Sequence, residues 1–185
     1  MSLFLGPVHY WLYDKIKLQE ALTKAVTKQT GSGEELAKDC PKLEDVIDTD
    51  NIHASLQAMI DDAENRFAKL ITQNSDKEEQ LLSCAHSFGA KHKINENASP
   101  EAAYRAFEDF FINGMPCDRI NRIIRSDTQS ITWKQESDIH EKYYTPLGTD
   151  SALYYKLRRE AMLGMLMGTS LKLKESNGTY TLEIN

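Results

Sequence analysis

The sequence predicts a mainly α-helical, α+β fold: a bundle of about five helices with a small two- or three-stranded antiparallel sheet at its C-terminal end. Three observations carry this. Between residues 7 and 111, apolar side chains recur every three or four positions, the helical period. Ser99-Pro100-Glu101 marks a helix start, with serine as cap and proline in the first turn. Asn177-Gly178 separates Leu171 and Leu173 from Tyr180, Leu182 and Ile184, the strongest short-range signal of a β-hairpin.

The elements follow in order. Pro7 opens a first helix, along which Val8, Leu12, Ile16, Leu22 and Val26 form a stripe that Trp11 and Ala25 widen; Thr30-Gly31-Ser32-Gly33 ends it. Residues 34 to 39 allow a helical turn or two before Pro41. A strong helix carries Ile52, Leu56, Met59, Ile60, Ala63, Phe67, Leu70 and Ile71, with Asp48, Thr49 or Asp50 as its cap. Ser75-Asp76-Lys77-Glu78 starts the next, with Leu81, Leu82, Ala85 and Phe88 inward, fraying after Gly89. The helix from Ser99 carries Ala103, Phe107, Phe110 and Phe111, with Gly114 as its C-terminal cap. A short helical segment over 117 to 126 then groups Ile120, Ile123 and Ile124.

Residues 130 to 136 alternate and read as a strand. A last helix, capped by Thr149 or Asp150, carries Leu153, Tyr154, Leu157, Ala161 and Met165 and ends at Gly168. A lone hairpin is marginal in water, so residues 130 to 136 are its expected third strand. The 185 residues suit one domain, 1–185, with a helical body over 1–126 and a strand, helix and hairpin over 127–185 packed on it.

Net charge is −6, which disfavours a nucleic-acid binder, because phosphate contact needs a basic face. Residues 34 to 64 hold ten acidic side chains against Lys38 and Lys42, a solvated face or a cation-binding or partner-binding patch. No apolar run approaches the ~20 residues that span a bilayer, and no N-terminal basic-then-apolar leader is read. Cys40, Cys84 and Cys117 are odd in number and far apart, so a cytoplasmic protein with reduced thiols is expected.

Neither Glu-x-x-His nor His-x-x-x-His occurs, and no phosphate-binding loop is present. Cys84, His86 and His92 diverge if their segment stays helical. The residues left are scattered. His9 stands beside Trp11 and Tyr13 on the first helix. Cys117 begins the segment after Pro116, where a helix N-terminus would favour a thiolate. Asp138 and His140 share a face if extended, and Tyr143 and Tyr144 follow. His9, Cys117, Asp138 and His140 are therefore candidate metal ligands, with Trp11, Tyr13 and Tyr144 lining a cofactor pocket for a transition metal or haem. Arg119, Arg122 and Arg125, three apart, are a candidate anion site or a solvated face.

The expectation is a cytosolic protein binding a metal ion, haem or small ligand. One alternative is a non-catalytic scaffold, meeting a protein partner or its own copy through the acidic segment or a sheet edge. The other is a thiol-dependent enzyme using Cys117 with His9 or His140. Any pocket is expected where the small sheet meets the helices.

Overall fold

A computed structural model describes residues 4–185. In order, the chain forms α1 (Pro7–Thr30), α2 (Leu43–Val46), α3 (Ile52–Gln73), α4 (Glu78–Lys91), α5 (Pro100–Phe110), β1 (Asn121–Ser126), β2 (Ser130–Gln135), α6 (Glu141–Tyr144), α7 (Ala152–Met165), β3 (Leu171–Ser176) and β4 (Thr179–Ile184). The fold is mainly α with an α+β arrangement. Five of the helices run 11 residues or longer, while α2 and α6 are single turns of four. No described helix is long and apolar enough to cross a membrane.

Helix boundaries follow local chemistry. Gly31 takes a φ of 68°, and its N–H bonds the Thr27 carbonyl at 2.9 Å, closing α1. Ser99 Oγ accepts from the Ala102 N–H at 3.2 Å and caps α5. The cap of α3 is Asn51, whose Oδ1 accepts from the Ala54 N–H at 3.3 Å. Asp48 instead caps the 3₁₀ turn Thr49–Asn51 just before it. Gly114 lies four residues past the end of α5 and is not its cap, because Phe111 leaves the helix extended and Phe111 and Ile112 are buried.

The segment after Cys117 corrects the sequence expectation. Only one 3₁₀ turn, Pro116–Asp118, forms; Arg119 at φ 48° breaks it, and residues 121 to 126 are strand β1. Ile123 and Ile124 are β-branched and suit that state. The sheet therefore has four antiparallel strands in the order β1-β2-β4-β3. The expected third strand is present as β2, paired with β4 through Trp133 opposite Tyr180 and Ile131 opposite Leu182. Asn177 and Gly178 turn the hairpin with φ of 50° and 72°.

One face of the sheet packs on α5. Trp133 stacks on Tyr180 with ring centroids 5.3 Å apart and meets Tyr104 at 4.9 Å. Beneath lies the larger core, which includes Phe67, Leu81, Ala85, Phe107 and Leu157. A second core of Leu12, Ile16, Leu56, Ile60 and Ile112 joins α1 to α3. Between α4 and α7 the backbones nearly touch. A Cβ on Gly89 would fall 2.0 Å from the Ala161 carbonyl oxygen, and one on Gly164 would fall 2.1 Å from the His86 carbonyl oxygen. Gly164 thus packs the helices closely, as its place on α7 predicts.

Candidate functional site

The site is built on α3 and on the loop that ends in α6. Glu64 follows Ala63 on the inward face of α3, between Ile60 and Phe67, and is 1% exposed. His140, also 1% exposed, precedes α6. Its Nδ1 lies 3.2 Å from Glu64 Oε2; because a carboxylate only accepts, the imidazole donates. Its Nε2 has no hydrogen-bond partner among the described residues. Glu64 Oε1 is likewise buried and unpartnered. The ring of His140 lies against Tyr154, with centroids 4.0 Å apart.

Asp138 sets the loop. Its Oδ1 accepts from the backbone N–H of His140 at 2.8 Å and of Glu141 at 3.0 Å, starting α6. Ser151 Oγ donates to its other oxygen, and Tyr155 OH donates at 2.8 Å. Burial raises the Asp138 pKa, but these hydrogen bonds outweigh it and hold the carboxyl below its ordinary value. Asp61 follows the same pattern: burial raises it, and donation from Tyr143 at 2.5 Å and Lys142 at 3.1 Å lowers it further than burial lifts it. Burial and the Asp61 carboxylate push the Tyr143 phenol far up, so it stays a donor.

These side chains enclose a cavity of about 280 Å³ that Glu64 and His140 line. Its charged wall holds Asp61, Glu64, Asp118 and Asp138 against Lys142. A wider groove of about 570 Å³ lies where α7 meets the end of β2 and the hairpin turn, and Asp138 lines both spaces. The larger opening is therefore at the junction of sheet and helices.

The seven residues singled out in the sequence do not form one pocket. Asp138 and His140 come together, through backbone hydrogen bonding in a turn and not as an extended pair. His9 is buried near the second core, and its Nδ1 accepts from the Gly6 N–H at 2.8 Å, closing the start of α1. Tyr13 is buried there too, its hydroxyl donating to the Pro41 carbonyl at 2.8 Å. Trp11 donates to Asp109 at 2.8 Å and walls a separate small cavity. Tyr144 is buried in the larger core with its hydroxyl unpartnered. Cys117 is exposed in the 3₁₀ turn, with no helix N-terminus beneath it, and its Sγ faces Asp118 at 3.8 Å. Among the described residues no three His, Cys, Asp or Glu side chains converge to hold a metal ion.

The arginines do not gather an anion site. Arg119 precedes the strand, and a bulge between Ile123 and Arg125 sets Arg122 opposite Lys134 and Arg125 opposite Thr132, on one face, where each of the two is paired with an acid. Arg122 pairs with Glu136 at 2.5 Å and Arg125 with Asp127 at 2.7 Å. The acidic segment is also partly tied down within the chain: Asp39 pairs with Lys24, Asp62 with Lys38 and Arg66, and Glu44 accepts from Tyr10.

Glu64 was not read from the sequence as a site residue, because it closes an acidic run. The available signal is its place on the inward stripe of α3: a carboxylate between Ile60 and Phe67 must be buried and therefore paired. No protein-family model, no curated protein and no solved structure matches this chain.

Proposed function

We propose that this chain is a non-catalytic binding protein for a small organic cation, an amine of a few heavy atoms held over Glu64. The observation that carries the reading is Glu64 Oε1, a buried carboxylate oxygen with no partner at the wall of an acidic cavity. An unsatisfied buried carboxylate is costly, and an ammonium supplies the missing donors. In the neutral tautomer with Nδ1–H toward Glu64, His140 Nε2 offers the same ligand a second acceptor. Lys142 is already engaged with Asp61 and does not neutralise Glu64.

This narrows the metal, haem or small-ligand expectation to its last member. A metal ion lacks a third ligand beside Glu64 and His140. The cavity that holds His140 is about 280 Å³, below the range of roughly 300–1,000 Å³ that takes drug-sized molecules, and so too small for haem. The wider groove has no histidine, cysteine or methionine to ligate a haem iron, and the Tyr155 hydroxyl there is already engaged by Asp138 and Gln135. All three cysteines are free thiols, which accords with a reducing compartment, and we place the protein in the cytosol.

The test is calorimetric titration of the purified chain with methylamine, ethanolamine and putrescine, with zinc chloride and haemin as competing arms. Binding of an amine that Glu64→Gln weakens by about tenfold or more is the expected result. Silence with every amine overturns the reading. Zinc binding that both Glu64→Gln and His140→Gln abolish, without amine binding, restores the metal in its place.

A further inference from the structure

A second cavity lies on the other side of the 113–119 loop and shares Gly114 with the first. It measures about 160 Å³, and Trp11, Lys15, Glu108, Asn113, Arg119 and Asn121 line it. That is room for several water molecules, or for a ligand of a few heavy atoms.

Its polar groups are incompletely satisfied. Lys15 is 2% exposed, yet its ammonium has no hydrogen bond or ion pair among the described residues; it rests 3.6 Å from the centre of the Trp11 ring. A buried charge normally has a partner. Glu108 is the carboxylate on the wall, and its Oε1 is occupied by the side-chain amides of Asn113 at 3.0 Å and Asn121 at 2.7 Å. Those bonds fix both amide groups with NH₂ toward Glu108. Asn113 Oδ1 and Asn121 Oδ1 are consequently left buried and unpartnered. Arg119, exposed to solvent, completes the rim. Its guanidinium has no partner among the described residues, and its backbone is held at φ 48°, a region that a non-glycine residue adopts at some energetic cost.

One buried ammonium without a hydrogen bond, one exposed guanidinium at the rim and two residues with unpaired amide oxygens thus line one small space, with Glu108 the carboxylate on its wall. We propose that this cavity binds a small carboxylate that also carries a hydrogen-bond donor, an α-hydroxy or α-amino acid. Lys15 and Arg119 take the carboxylate, and the hydroxyl or amino group donates to Asn113 and Asn121 Oδ1. The Trp11 face bounds the short side chain. A simple anion fills only half of this set, because it leaves both amide oxygens unsatisfied. A simple amine fails for the converse reason, meeting two positive charges.

The test is calorimetric or NMR titration of the full chain at neutral pH with glycolate, lactate, glycine and alanine, against acetate and ethylamine. At least one hydroxy or amino acid should bind about tenfold more tightly than acetate. Lys15→Met should weaken it by a further tenfold or so. If that variant does not fold, Arg119→Gly decides. Glycine accepts the left-handed backbone there, so this variant keeps its fold while losing the guanidinium, and it should lose about tenfold in affinity. No binding by any of the four, equal binding of acetate, or an unchanged affinity in Arg119→Gly overturns the proposal. Glu64→Gln must leave this binding intact. Loss there would move the ligand to the first cavity and overturn the assignment, whereas failure of amine binding at Glu64 leaves this proposal standing.

Discussion

Glu64 Oε2 and His140 Nδ1 lie 3.2 Å apart across 76 positions of sequence, each side chain sealed from solvent. The imidazole is the hydrogen-bond partner that joins the bundle at α3 to the loop leading into α6. Removing one member of a buried pair strands the other, which typically costs about 3–5 kcal/mol. His140→Ala should therefore lose about 3 kcal/mol or more in urea unfolding. The double change His140→Ala with Glu64→Leu should recover part of that loss, because no buried charge is then left alone. A single-variant loss under about 1 kcal/mol would show that the pair does not hold the loop.

The approach of α4 to α7 makes a second prediction. Gly89 and Gly164 face each other's helix so closely that any Cβ meets backbone, not a movable side chain. Overpacking of this kind costs about 1–3 kcal/mol and more when backbone must shift. For a chain of this size, 1 kcal/mol lowers Tm by roughly 2–4 °C. Gly89→Ala and Gly164→Ala should each lower Tm by about 6 °C or more in a thermal melt monitored by circular dichroism. By contrast, Gly148→Ala meets nothing within 4 Å and bears only the strain of its φ of 75°, so its loss should be smaller.

The legible and illegible parts of this fold divide along a physical line. Helix periodicity up to residue 110, the Ser99 cap and the Asn177-Gly178 turn are local, and each holds. Strand β1 was missed because Ile120, Ile123 and Ile124 fit a helical spacing as well as a strand, and the choice is made by pairing with β2. Asp138 and His140 are paired in the sequence as an extended couple, whereas a turn joins them in the fold. Glu64 and Lys15 were hidden for a shared reason. Each is a charged residue inside an amphipathic helix whose inward stripe was read from apolar residues alone. His9, Trp11 and Tyr13 were grouped by proximity in sequence, and the structure engages each with a different neighbour: Gly6, Asp109 and Pro41.

The three thiols differ enough in exposure to be told apart. Cys117 is exposed, Cys40 is partly covered, and Cys84 is buried against the larger core. Burial also pushes the Cys40 and Cys84 thiols up, which slows them further. A chromogenic disulfide reagent on the native protein should modify Cys117 first, Cys40 more slowly, and Cys84 only with unfolding. Mass spectrometry of the modified peptides reads the order directly. Prompt labelling of Cys84 in the native state would contradict the packing of α4 described above.

Lys15 gives the last prediction its sign. Burial lowers its pKa to about 8, while the carboxylates of Glu108 and Asp109 pull it up and Arg158 pushes it down. In the unfolded chain the group titrates near its ordinary 10.5. Between these values the unfolded state holds the proton that the folded state has released, so stability must rise with pH there. Thiols and tyrosines set the upper limit: Cys40 and Cys84, raised by burial, keep their protons in the fold whereas unfolded thiols release them near 9.0. Tyr104, raised to about 12 chiefly by burial, keeps its proton in the fold, whereas an unfolded tyrosine releases it near 10.0, and stability then falls. The wild-type protein should therefore gain stability from about pH 8 to pH 9 in urea titrations and lose it above. Lys15→Met should flatten the gain and leave the later loss. Wild-type and Lys15→Met curves that run parallel between about pH 8 and pH 10 would mean that burial does not depress the Lys15 ammonium, and would count equally against the unpaired cation invoked in the second cavity.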